Sequence, residues 1–234
     1  PHASNVEKSL LRNFRRYAGA GSAVEGNCFW NDLAVAQHHG LPTRLVDWTN
    51  SPLVALHFAI GDHPDLSVDA IVNMCSLRTI NLLPGALRDL LHAENAYVFT
   101  SEMLDGIMSL EEFDGLRIHD DFVLVLEPPA LDARITNQYA ILTALPSATE
   151  SVTSFLRRHP QFARQMIIPG ALKWEVRDKL DQMNITERLL FPGLDGLSSW
   201  LRRYYSNTML NSTAPTTLTT SMWESNEELD INTR

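Results

Sequence analysis

A mixed α+β domain, with small sheets flanked by helices, is the fold class this sequence predicts. Three observations carry the prediction. Short apolar runs rich in β-formers, such as residues 70–77 (AIVNMCSL) and 122–126 (FVLVL), lie among longer segments with helical periodicity. Strands and helices follow one another without the regular alternation of a doubly wound sheet. The chain has 234 residues, 44% apolar and 20% charged, which is enough to bury a sizeable core.

Taken in order, residues 7–18 read as an amphipathic helix. Leu10, Leu11, Phe14, Tyr17 and Ala18 form one stripe, with Arg12, Arg15 and Arg16 largely off it and Gly19 as the stop. A Gly/Ala/Ser stretch follows. Asn31 and Asp32 are expected to cap a second helix that runs through His39 and ends at Gly40. Leu41-Pro42 forces an extended entry, and residues 43–47 read as a short strand. Thr49, Asn50 and Ser51 supply caps for an apolar helix whose first residue is Pro52, where the missing N–H costs nothing.

The two strand candidates at 70–77 and 122–126 flank a mostly helical insertion over 82–116, in which Ser109 and Glu112 have capping-box spacing. Residues 134–145 (RITNQYAILTAL) read as a strand with a polar start, and 165–168 as another, stopped at Pro169-Gly170. Leu172, Val176, Leu180 and Met183 share one face of a further helix. Residues 191–196 form a turn, and 197–205 a last helix. After Ser206 the composition shifts to Thr, Ser and Asn, and 206–234 reads as a polar, acidic tail or linker.

The formal charge of −9 argues against indiscriminate nucleic-acid binding, which depends on neutralising phosphates. The arginine groups at 12, 15 and 16, at 157, 158 and 164, and at 202 and 203 read as solvated helix faces. Cys28 and Cys75 are too few for a disulfide framework and read as reduced thiols of a cytoplasmic protein. No apolar run is long enough for a membrane helix, and no signal-peptide pattern opens the chain. The start at Pro1 reads as the start of a piece of a longer protein.

The densest chemistry lies between residues 37 and 56, where two imidazoles, a guanidinium, a carboxylate, an indole and a hydroxyl sit at element ends. From Gln37 to Ala59 the chain resembles the signature of the FRG domain family, Q-H-x-G-L-P-T-R-L-L-D-W-T-x-x-P-L-x-A-L-x-F-A, with Val46 in place of a usual Leu. Residues 134–142 resemble its R-I-x-x-Q-x-G-x-F, with Ala140 and Leu142 substituted. Residues 191–196 resemble F-P-D-L-D-G, with Gly193 for the first Asp. The resemblance extends over residues 5–205 and implies one FRG-type domain. The Phe/Tyr-Arg-Gly motif that names the family lies, in the usual layout, on a strand upstream of the first helix. Phe14-Arg15-Arg16 sits on that helix and lacks the Gly, so the motif is expected to lie outside this sequence.

A second likeness, to mono-ADP-ribosyltransferases, implies NAD as cofactor and no metal. The Asp47-Trp48-Thr49 strand and the helix after it are similar to the middle element of those enzymes, and Gln138 stands where they place a late acidic or amide residue. The resemblance implies Trp48 as an aromatic wall, Thr49 and Asp47 on ribose hydroxyls, Arg44 or His38 toward the phosphates, and Gln138 orienting an acceptor. That acceptor is a nucleic acid, a nucleotide or a protein. Two other readings stay open. His38, His39 and Asp47 would serve a metal-dependent phosphodiesterase, although adjacent helical histidines point about 100° apart. A non-catalytic module would bind a nucleotide or a partner protein, such as an antitoxin, within a bacterial toxin or anti-phage system. Each residue also has a structural role open to it. Asp47 and Thr49 suit helix caps, Trp48, Trp174 and Trp200 suit packing, and Arg44 suits an ion pair with Asp47 or Asp195. Arg134 and Gln138 suit a strand surface, and His57 suits a satisfied core histidine.

Overall fold

A computed structural model describes residues 2–18, 28–61, 67–116 and 121–211. The Gly/Ala/Ser stretch after the first helix and the tail beyond 211 lie outside the described residues. The elements are α1 (His2–Ala18), α2 (Phe29–His38), β1 (Val46–Thr49), α3 (Pro52–Gly61), β2 (Ala70–Cys75), α4 (Gly85–Ala93), β3 (Phe99–Thr100), α5 (Ser101–Asp105), α6 (Leu110–Leu116), β4 (Leu124–Glu127), α7 (Ala133–Asn137), β5 (Ala140–Ala144), α8 (Val152–Arg158), β6 (Ala163–Ile168), α9 (Lys173–Gln182), α10 (Glu187–Leu190) and α11 (Leu194–Asn211), with short 3-10 turns between some of them. The expected α+β class is what the chain adopts. One sheet has the order β1-β5-β4-β3, antiparallel except for the β3–β4 pair, and a separate two-stranded sheet pairs β2 with β6 antiparallel.

Alternation along the main sheet decides where its cores lie. Leu124, Leu126, Leu142 and Ala144 point to one face and pack on Trp30, Leu33, Phe99, Leu104 and Phe113 from α2, β3, α5 and α6. Val123 and Leu145 belong to a second core with Phe155 and Leu156 of α8, and Trp48 packs against its edge. A third core fills the space between β2, β6, α3 and α9 through Ile60, Ala70, Val72, Ile168 and Leu180.

Four sequence expectations are corrected by tertiary partners. First, the strand expected over 43–47 begins only at Val46, because the Arg44 N–H donates to Glu7 Oε1 (2.7 Å) and the Leu45 N–H to Thr43 Oγ1 (3.2 Å). Second, α2 is not capped by Asn31 or Asp32. It starts at Phe29, and Asp105 of α5 accepts the Trp30 N–H at 2.9 Å, while Asp32 is wholly buried on Arg15 (2.6 Å). Third, residues 133–137 are helical, capped by Asp132, which accepts the Arg134 and Ile135 N–H groups (2.8 and 3.2 Å). Gln138 therefore sits at a helix end and not on a strand. Fourth, α9 buries Leu180 with Val176 beside it, but Leu172, Met183 and Trp174 are exposed. The capping box at Ser109 and Glu112 forms in both directions, and Pro52 opens α3. Helix α11 continues past the expected boundary at 206, as far as Asn211.

Candidate functional site

The signature residues are held by a connected set of hydrogen bonds. Thr43 Oγ1 donates to Gln37 Oε1 (2.5 Å), and Gln37 Nε2 donates to Asp47 Oδ2 (3.3 Å). With the Leu45 N–H feeding Thr43, this makes a one-directional chain that ends on the Asp47 carboxylate. His38 Nε2 bonds Asp132 Oδ2 at 2.9 Å and so ties the end of α2 to the cap of α7. Burial pushes the Asp132 carboxyl up, but the His38 bond and the capping amides outweigh it and leave it below the ordinary carboxylate value. Trp48 Nε1 donates to Thr143 Oγ1 (2.9 Å) across the β1–β5 pair. Thr49 Oγ1 donates to the Gln138 carbonyl (2.6 Å) and accepts the Ser51 N–H (3.0 Å). Gln138 Nε2 donates to the Leu190 carbonyl (2.9 Å), and its neighbour Asn137 takes the Leu189 carbonyl (2.8 Å). These bonds close the end of α10 and leave the amide oxygen and one N–H of Gln138 to serve a ligand.

Asp47, Trp48, Thr49, Gln138 and His38 line one cavity of about 540 Å³, within the usual span for a small-molecule site. Its interior is apolar, formed by Ala55, Phe58, Ala140, Leu142 and Leu156, and its far wall is β2 through Ile71 and Asn73. A more polar hollow of about 720 Å³ opens beside it at Gln37, His38, Asp47 and Arg134, which line both. Residues 48, 49 and 138 thus line a single cavity.

Arg44 is elsewhere. It is 9% exposed and lines neither space. Its Nε meets Glu7 Oε2 (2.7 Å), its Nη1 meets Asp114 Oδ1 (2.6 Å) and the Pro146 carbonyl (3.2 Å), and its ring-facing side lies over Phe113. The expected contact with a phosphate has no route from there, and the partners are neither Asp47 nor Asp195. Arg134, read from the sequence as a strand-surface residue, is instead at the junction of the two spaces, its guanidinium 5.1 Å over Phe191. The cue available in the sequence was Asp132, a good N-cap that starts a helix and sets Arg134 beside the two spaces. His57 is buried, with Arg177 Nη1 3.0 Å from its Nδ1. His38 and His39 rings stand nearly perpendicular at 5.2 Å, and among the described residues no group of three or more His, Cys, Asp or Glu side chains is placed to hold a metal ion.

Fold and cavity together define an α+β domain with a ligand-sized cleft walled by a four-residue signature strand. A family model for the FRG domain matches residues 1–66, which supports the FRG domain family for this chain. The matched stretch includes Gln37, His38 and Asp47 to Thr49, whereas Arg134 and Gln138 lie beyond it. Neither the curated proteins nor the solved structures contain a match. Among the described residues no helix is long and apolar enough to cross a membrane.

Proposed function

We propose that the cleft binds a nucleotide of the NAD type and that the chain acts as an ADP-ribosyltransferase-type enzyme. The observation that carries this reading is the convergence of Asp47, Trp48, Thr49 and Gln138 on one cavity with an apolar interior and a polar mouth. In the reaction the bond between nicotinamide nitrogen and ribose C1′ breaks, nicotinamide leaves with the bonding pair, and an acceptor oxygen or nitrogen joins C1′ and loses its proton. The carbon passes through oxocarbenium character, so a carboxylate held nearby stabilises it. Asp47 is that carboxylate, with its rotamer set by Gln37. Trp48 supplies a flat wall for the ring. Thr49 fixes the Gln138 backbone, and the Gln138 amide oxygen faces the acceptor as a hydrogen-bond acceptor. The acceptor class, nucleic acid or protein, follows from whatever docks at the mouth.

A second reading is favoured by one observation: the polar atoms of Trp48 and Thr49 are already bonded within the protein. That suits a rigid nucleotide-binding module without turnover, acting with a partner protein in a toxin or phage-defence setting. Calorimetric titration with NAD, followed by release of free nicotinamide, separates the two. Binding that is weakened about tenfold or more by Trp48→Ala, with nicotinamide release lost in Asp47→Asn at unchanged affinity, is the enzymatic result. Binding without release gives the module. No binding of NAD to the folded chain overturns both.

A further inference from the structure

The polar hollow beside the cleft has no role in the reading so far beyond forming its mouth. We propose that it is an anion subsite, built on Arg134, that receives the phosphate attached to a nucleoside seated in the apolar cavity. The inference rests on the nucleotide reading of the cleft and changes the residue expected to meet phosphate. Arg44, the signature arginine, is locked between Glu7 and Asp114. Arg134 lines both spaces, is exposed, and makes no ion pair among the described residues. Its guanidinium carbon lies 5.1 Å over the Phe191 ring, which in turn stands edge-on to Phe58 in the cavity wall at 5.9 Å. A cation–π contact of that kind uses none of the guanidinium N–H groups and leaves them for a bidentate acceptor such as phosphate.

Two imidazoles and a carboxylate also border the hollow. His38 and His39 stand on the same rim, with Nε2 of His38 held by Asp132. Asp47 lines both spaces as well, and its carboxylate opposes an anion, so the phosphate belongs on the Arg134 side of the hollow. The distance from the Trp48 wall to the rim is bridged by Gln37, His38, Asp47 and Arg134, the residues common to both spaces, so a ring in one and a phosphate in the other belong to one ligand.

The test uses two probes that differ by one phosphate, nicotinamide mononucleotide and nicotinamide riboside, with inorganic pyrophosphate as a probe that has no ring. Each is titrated into the unaltered chain and into Arg134→Ala and Arg134→Lys. The expected result is a loss of about 10- to 100-fold for the mononucleotide and for pyrophosphate in Arg134→Ala, the effect of one charged hydrogen-bonded pair. The riboside should bind unchanged, and Arg134→Lys should recover part of the loss because it keeps charge without the fork. An equal loss for the two nicotinamide ligands, an unchanged mononucleotide, or no binding of any anion to the unaltered chain overturns the inference. If neither nicotinamide compound binds but pyrophosphate does and Arg134→Ala abolishes it, the anion subsite stands and the NAD reading fails. Thermal unfolding of the variants, with midpoints near that of the unaltered chain, confirms that an exposed side chain was removed without loss of fold.

Discussion

Removing the Arg44 guanidinium would strand the Glu7 carboxylate, 6% exposed, inside the protein beside Asp114. Breaking a buried pair from one side is costly because the remaining charge has lost its partner. Arg44→Met is therefore expected to destabilise the fold by about 3–5 kcal/mol, read as a fall in the urea midpoint at pH 7. His57 sets a pH dependence of its own. Burial, and then the Arg177 guanidinium beside it, pull its imidazole down to about 4. The folded state thus keeps it neutral, while the unfolded chain protonates it near 6.5. Its contribution is full above pH 6.5 and is lost as pH falls through 4, below which the two states bind the same number of protons. The whole fall amounts to roughly 3 kcal/mol, of which about 2 kcal/mol lies between pH 7 and pH 5, and urea unfolding at those two pH values should show it. In His57→Gln, which keeps an acceptor for Arg177, the slope over this interval should flatten. Of these residues the sequence indicated the importance of Arg44 but not its partners. Glu7 and Asp114 lie 37 and 70 positions away, and no local pattern links them.

Helix ends explain both the successes and the failures of element assignment. Where the capping groups are local, as at Ser109 with Glu112 or at Pro52, the elements fall where the residues indicate. Where the cap comes from another element, as Asp105 does for α2, the start is displaced. Residues 133–137 are the instructive case. Their β-branched content reads as strand, yet the Asp132 cap, the carbonyls of α10 that accept from Asn137 and Gln138, and a left-handed Tyr139 (φ 50°) make a helix and a sharp exit. That exit is what swings Gln138 into the cavity. The contact between α10 and α11 depends on Gly196. A Cβ there would lie 1.9 Å from the Phe191 carbonyl oxygen and 2.6 Å from that of Glu187, both backbone atoms that cannot swing aside. Gly196→Ala is expected to cost about 3 kcal/mol through forced separation of the helices. Differential scanning calorimetry should record a lower midpoint. Because α10 anchors Gln138, NAD affinity is expected to fall with it.

At the scale of the whole chain, the α+β class was legible because apolar periodicity changes between segments, and the signature strand was legible because its residue types are unusual together. The cavity was not legible. Its walls come from α2, β1, α3, β2, α7, β5 and α8, brought together by long-range pairing that one-dimensional spacing does not encode. Those walls belong to two separate sheets, and the β2–β6 pair shares no ladder with β1-β5-β4-β3. Helix α3 is packed against both. An occupant of the cleft would thus clasp two halves that otherwise lean on a common spine, and its grip would be felt as stiffening on both sides at once. The molecule is built like a pair of jaws sharing a single backing plate, so sensitivity to a guest is written into its architecture as well as into the side chains that touch it.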